Sequence, residues 1–230
     1  MTKYNVAAVI LAAGSGSRMN ISTTKQQLLI AGKTVLRRSL EAFQSCSGIT
    51  SITVVVREGE QDFAMQQAFG LDKVRSIVIG GKTRAESARI GFGAIPEDSD
   101  YVAIHDAARC LITPEAISSV VNDAVKHGAA SASMRAIDTV KLVDNEGFVL
   151  DTPDRDRVML ATTPQIFKTD IYSTALNLTD STDSAITDDN MLVERAGYKV
   201  FCTDTGKNNM KITHSDDVEY AEFILRSREK

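Results

Sequence analysis

The sequence predicts an α/β fold, a Rossmann-like, doubly wound and mostly parallel sheet that carries a projecting β-arm. Three observations predict it. Short β-branched runs alternate with segments of helical period, and the runs are apolar on both faces, as a sheet covered by helices on each side requires. A glycine loop follows the first run directly. From Met134 to Gln165 the alternation breaks, and two strand-like runs stand back to back. The chain has 230 residues. Since roughly 100–200 residues make one domain, 1–230 is read as a single domain with 134–165 as its arm.

The elements follow in order. Val6–Leu11 is the first buried strand and ends at the glycines of LAAGSGSRM. Val35–Phe43 reads as the first long helix, then Ile52–Val56 as a strand and Gln61–Phe69 as a helix. Ser76–Ile79 and Tyr101–Ile104 are strands on either side of a helix over Arg84–Gly93. Thr113 before Pro114 is a helix cap followed by a first-turn proline, which starts a helix to His127. Asp170–Leu178 is a further helix and Lys199–Cys202 a further strand. Ser215-Asp216-Asp217 opens the last helix, to Ser227, with acidic residues at its positive end. Such alternation winds right-handedly into an open sheet.

The arm is inferred from Thr139–Val143 and Gly147–Asp151, joined through Asp144-Asn145-Glu146-Gly147. A short loop containing Gly between two strand runs is a hairpin signal. A hairpin has no place in a βαβ repeat, so subunit contact is its expected use.

A formal net charge of −4 argues against a surface that grips nucleic acid or acidic lipid. It leaves room for an anionic small molecule, which needs only a few placed cations. No apolar run approaches the roughly 20 residues that span a bilayer, so no membrane partner is expected. Cys46, Cys110 and Cys202 are scattered without a CxxC, which suits a reducing cytoplasm. The three His are isolated from one another and from the Cys, which argues against structural zinc.

In an open α/β sheet ligands bind beyond the carboxyl ends of the strands, where the loop around Ala12, Ala13, Gly14, Ser15 and Gly16 lies. Its glycines let backbone N–H groups fold around a polyphosphate. A Walker A reading of Gly81-Lys82-Thr83 fails because position 76 is Ser, and a dinucleotide fingerprint fails because position 19 is Met. Arg18 and Lys25 follow closely and suit phosphate, one as a planar fork and one as a point charge. Asp106, beyond the strand at 101–104, suits a magnesium ligand or a ribose contact; a turn-capping Asp is the plainer alternative.

These pieces carry a resemblance. LAAGSGSRM (11–19), Lys25-Gln26, GGKTRAES (80–87), IHDAAR (104–109), DTVK (138–141), ATTPQIF (161–167), TDDNMLVE (187–194) and KNNMKIT (207–213) are similar, in order, to the 2-C-methyl-D-erythritol 4-phosphate cytidylyltransferase family. The resemblance covers nearly the whole chain and implies the nucleotide-diphospho-sugar transferase type of fold. It also implies transfer of a cytidylyl group from CTP to a polyol phosphate with Mg²⁺, in non-mevalonate isoprenoid precursor synthesis. Thr24 and Cys110 stand where the family usually has Pro, Ala88 where it has Val, and TDDNM where it has TDDAS. None of these replaces a side chain with assigned chemistry. A ribitol 5-phosphate cytidylyltransferase shares the framework, and HDAAR favours the methylerythritol branch.

By that resemblance Arg18, Lys25 and Lys211 hold the CTP phosphates. Ala12 to Gly16 wrap them, and Gly81, Lys82 and Ser87 read cytosine. Asp106 and Ala107 meet the nucleotide, with Asp106 on the metal. Lys211, in the strand-like block Met210–Thr213, would by itself pass for a surface lysine, and Ser87 for a helix hydroxyl. Arg109, Thr139, Arg155, Thr187 and Asp188 are implied to take the polyol phosphate. Thr139 and Arg155 come from a neighbouring subunit, so the expected partner is a second copy bound through the arm. Spacing back from Thr163-Pro164-Gln165 favours Arg155 over Arg157, and a solvated basic arm is the alternative for both. A binding module without catalysis would not need Arg18, Lys25, Asp106 and Lys211 together. A flavodoxin-like carrier is disfavoured by the lack of Trp and of an aromatic beside the loop.

Overall fold

Seven strands form the central sheet of the computed structural model, in the order β11-β7-β10-β6-β1-β4-β5. The structure describes residues 4–14, 24–178 and 186–228. In chain order, β1 (Val6–Leu11) leads to a small hairpin, β2 (Leu29–Ile30) and β3 (Lys33–Thr34), and then α1 (Val35–Ser45). Next come β4 (Ser51–Val56), α2 (Gln61–Ala68), β5 (Val74–Ile79), α3 (Arg84–Phe92) and β6 (Tyr101–Asp106). The second half holds α4 (Pro114–His127), β7 (Ala129–Arg135), the hairpin β8 (Leu142–Val143) and β9 (Val149–Asp151), and β10 (Met159–Lys168). It closes with α5 (Thr169–Leu178), α6 (Asp189–Arg195), β11 (Phe201–Asp204) and α7 (Asp216–Arg228).

Hydroxyl caps start two of the helices, the one at Thr113 as expected. The Thr34 hydroxyl accepts from the Arg37 N–H at 3.1 Å, and the Thr113 hydroxyl from that of Ala116 at 3.3 Å, ahead of Pro114. Alternate residues of β1 then feed two cores. Val6, Ala8 and Ile10 pack with Leu36, Leu40 and Phe43 of α1 and Ile117 and Val120 of α4. Val9 and Leu11 pack on the other face with Ala88 of α3, Tyr172 of α5 and Val193 of α6. A third cluster, Ile30, Val35, Cys110, Leu111, Ile212, Ala221 and Ile224, seats α7 beside the β2–β3 hairpin.

Three expectations need correction. β10 is antiparallel to both β6 and β7, and it lies inside the sheet rather than in the arm. Met134 and Arg135 belong to β7, so the hairpin that leaves the sheet runs over 136–158 instead of 134–165. Its β8 and β9 are exposed along their length, as are Ile137, Phe148 and Leu150. Met210–Thr213, read as strand-like, forms no strand.

β1 pairs in parallel with β4 on one side and with β6 on the other, Leu11 lying opposite Asp106. The chain proceeds from β1 toward β5 and returns on the far side to β6. The crevice between the carboxyl ends of β1 and β6 is therefore the topological switch point, where open α/β sheets bind ligands.

Candidate active site

A cavity of about 420 Å³ opens at that switch point. Its walls include Lys25, Arg57, Lys82, Arg84 and Lys211, with Asp106 as the lone carboxylate among the described residues that line it. Leu11, Ala13, Gly14, Gly81 and Ser87 complete most of the lining. Such an excess of cations is suited to a polyanion.

Ala12, Ala13 and Gly14 leave β1 directly, and the Ala12 N–H donates to the Val55 carbonyl at 2.7 Å. Ser15, Gly16 and Arg18 lie outside the described residues. A short 3₁₀ turn, Lys25–Gln27, folds back over the loop, because the buried Gln26 amide donates to the Gly14 carbonyl at 3.2 Å. A Cβ on Gly14 would lie 3.6 Å from the Lys25 ammonium, so the cation sits over the glycine backbone.

On the other side of the crevice, Gly80 to Ser87 make a tight turn into α3. The Ser87 hydroxyl donates to the Thr83 carbonyl at 2.9 Å and accepts from the Gly81 N–H at 3.1 Å. The Lys82 N–H donates to Glu86 Oε2 at 2.6 Å. A Cβ on Gly81 would overlap the Glu86 side chain at 2.3 Å, so a larger residue there would displace Glu86 from the Lys82 N–H. Ser87 thus shapes the loop it was expected to serve, with its hydroxyl proton already engaged.

Asp106 ends β6 and joins two cations. Arg84 Nε meets its Oδ1 at 3.1 Å and Lys211 Nζ its Oδ2 at 2.8 Å. Burial pushes this carboxyl up, but Arg84 and Lys211 outweigh that and hold it well below the usual range. Lys211 is placed by its neighbour: Ile212 is fully buried and its N–H donates to the Ala108 carbonyl at 2.8 Å. Arg84 also reaches Asp189 Oδ2 at 2.7 Å, and the Tyr172 hydroxyl donates to Asp189 Oδ1 at 2.6 Å. Burial works against the Arg84 charge, yet Asp189 and Asp106 together raise its pKa. His105, one residue before, is buried to 0 % exposure, which lowers its pKa to about 3, so it is neutral and structural. The Ala107 carbonyl accepts from the Ser39 hydroxyl at 2.7 Å, which anchors the segment after Asp106.

No cluster of three or more His, Cys, Asp or Glu suited to a metal occurs among the described residues. A lone carboxylate still fits Mg²⁺, which keeps most of its waters and takes phosphate oxygens. Asp106 uses two of its roughly four lone-pair sites on Arg84 and Lys211, which leaves capacity for such an ion.

None of the residues expected at the polyol phosphate lines this cavity. Arg109 donates to the Asn209 carbonyl at 3.0 Å, and burial lowers its pKa. Asp188 caps α6 through the Met191 N–H at 2.9 Å and accepts from Gln165 Nε2 at 2.8 Å; Thr187 precedes it on the surface. Thr139 and Arg155 stand on the hairpin, where Arg155 donates to the Ile137 carbonyl of the same arm at 3.1 Å. Sequence reasoning missed Arg84, Asp189 and Arg57. The first two stood inside the quoted blocks GGKTRAES and TDDNMLVE, which was the available signal. Arg57 had none.

A family model described as 2-C-methyl-D-erythritol 4-phosphate cytidylyltransferase matches residues 6–227. The protein of that name from Pelotomaculum thermopropionicum is 38% identical over 227 residues, covering 97% of this chain and 95% of the relative. That from Caldanaerobacter subterraneus subsp. tengcongensis is 39% identical, covering 96% and 99%. The crystal structure of 4-diphosphocytidyl-2C-methyl-D-erythritol synthase from Anaerococcus prevotii superposes with a TM-score of 0.87 at 29% identity, covering 97% of this chain and 96% of the other. With its sequence matched from β1 into α7 and its fold shared, the chain belongs to the 2-C-methyl-D-erythritol 4-phosphate cytidylyltransferase family.

Proposed function

We infer that this enzyme transfers the cytidylyl group of CTP to 2-C-methyl-D-erythritol 4-phosphate, releasing pyrophosphate, in isoprenoid precursor synthesis. The observation that carries this for the chain itself is the cation-walled cavity beside the glycine loop at the switch point. A phosphate oxygen of the polyol attacks the α-phosphorus of CTP. The bond to the bridging oxygen breaks, and pyrophosphate leaves with the electron pair.

Two anions must meet, so the protein's task is positioning and electrostatic stabilisation. Lys25 over Gly14 serves the β- and γ-phosphates together with Arg18, and Lys211 serves the α-phosphate from the β6 side. Asp106, itself bonded to Arg84, holds Lys211 in place before substrate arrives, so little reorganisation is left for the reaction. Mg²⁺, held by Asp106 and phosphate oxygens, would neutralise part of the triphosphate charge. Gly81, Lys82 and Ser87 enclose the base, and Ala107 the ribose side.

The polyol phosphate is assigned to Arg109, Thr187 and Asp188 together with Thr139 and Arg155 of a second copy. The exposed apolar hairpin supports that assembly, because a two-stranded ribbon is marginally stable in water until it packs. No helix among the described residues is long and apolar enough to cross a membrane, and all three cysteines are unpaired, which suits the cytoplasm.

The test is pyrophosphate release from CTP with a panel of polyol phosphates. Methylerythritol phosphate should be preferred. Preference for ribitol 5-phosphate would move the substrate assignment, and no release with any of them would remove the catalytic one.

A further inference from the structure

We propose that Arg57 reads the acceptor edge of the cytosine ring and helps the enzyme choose CTP over UTP. This rests on the nucleotide being CTP. Arg57 follows β4, which lies between β1 and β5. The backbone bond from Ala12 N–H to the Val55 carbonyl and that from Gly80 N–H to the Val56 carbonyl, at 2.7 and 2.8 Å, flank it. It therefore emerges between the glycine loop and the turn at Gly80–Ser87. From β4 to β6 is two strand spacings, about 9–10 Å, so Arg57 lines the cavity on the side away from Asp106 and Lys211. That is the base end.

The arginine is held there. Arg57 to Glu60 form a turn closed by the Glu60 N–H on the Arg57 carbonyl at 3.1 Å, with Gly59 at φ +83°, a conformation that favours glycine. Arg57 Nη2 meets Glu60 Oε1 at 2.8 Å, and that bond raises the guanidinium pKa. Its Nε is buried and has no hydrogen-bond partner among the described residues.

Three backbone donors at the start of the opposing turn are already taken. The N–H groups of Gly80, Gly81 and Lys82 are engaged with Val56, Ser87 and Glu86. Cytosine presents two adjacent acceptors, N3 and O2, whereas uracil presents an N3–H in place of the first. A guanidinium donates only, so it matches cytosine and is mismatched to uracil.

The experiment compares Arg57→Ala and Arg57→Lys with the wild type. Turnover of CTP by the wild type is measured first; its absence would sink the CTP assignment and, with it, the base-reading role of Arg57. With wild-type turnover in hand, KM and kcat are measured for CTP and UTP, with inhibition constants for cytidine and pyrophosphate. Arg57→Ala should raise KM for CTP by on the order of tenfold to a hundredfold and weaken cytidine in proportion. Pyrophosphate inhibition and KM for the polyol phosphate should stay unchanged, and the CTP-to-UTP preference should fall by about tenfold. Arg57→Lys keeps the charge without the fork, so it should leave the preference low. An unchanged CTP-to-UTP ratio overturns the proposal. So does a loss that falls on pyrophosphate, which would make Arg57 a phosphate ligand.

Discussion

Lys25 owes its place to a neighbour: Gln26, buried and bonded to the Gly14 carbonyl, turns the backbone so that the ammonium covers the glycine loop. Removing a preorganised charge-stabilising group costs on the order of 10²–10³ in rate. Lys25→Ala, and likewise Arg18→Ala, should therefore lower kcat by about that factor with the thermal midpoint nearly unchanged. Wild-type-like turnover in a folded Lys25→Ala protein would remove the phosphate-clamp role. His105 shows the opposite use of a titratable residue. Its Nδ1 lies 3.0 Å from the Thr163 hydroxyl, which itself accepts from the Asp106 N–H at 3.1 Å. Burial lowers its pKa to about 3. The unfolded chain takes up that proton near pH 6.5, so between about 6.5 and 3 acid favours unfolding. From pH 7 to 4.5 this residue should cost the fold about 2–3 kcal/mol. Urea unfolding of the wild type and His105→Phe at both values checks it: the variant should lose less stability on acidification, and an equal loss would refute the assignment.

At the scale of elements, α3, β6 and α6 are tied by one chain of charges running Asp189, Arg84, Asp106, Lys211. Asp189 is buried at α6 and also takes the Tyr172 hydroxyl, so its loss strands two donors. Allowing for an Arg84 side chain that is 30% exposed, Asp189→Ala should destabilise by about 2–3 kcal/mol. It should also raise KM for CTP, because Arg84 no longer holds Asp106. Denaturant midpoints and nucleotide kinetics measure both, and an unchanged KM would confine Asp189 to a structural part. Elements were legible where β-branched runs or caps marked them, as at β1, β4 and α4. β7 was not, since Ala129-Ala-Ser-Ala-Ser133 is small rather than β-branched. β10 was hidden by Thr162-Thr-Pro-Gln165, whose polar side chains and proline read as loop; its ladder shifts register between Ala161 and Gln165 to accommodate them.

At the scale of the whole molecule, the hairpin over 136–158 offers its apolar side chains to solvent and keeps Arg155 on its own arm. Pairing with an identical copy would cover the first and give the second an anion to meet. Mixing Lys25→Ala with Arg155→Ala subunits tests this. If the arm acts on its partner, one site of each mixed dimer carries both lesions and the other neither. Activity should then return to about half of wild type per mixed dimer. No recovery after proven subunit exchange would assign Arg155 to its own chain or to no catalytic part.

The strands and helices marked by β-branched runs or caps, the glycine loop and the blocks holding Lys25, Ser87, Asp106 and Lys211 were readable in one dimension. Local periodicity, caps and motif spacing are properties of neighbouring residues. The antiparallel insertion of β10 between β6 and β7 was not readable. Neither was the meeting of Arg84 with Asp189 across 105 positions, nor the arrival of Arg57 at the cavity wall. Those depend on which strands lie side by side, and long-range pairing is settled by packing the whole sheet between its two layers of helices.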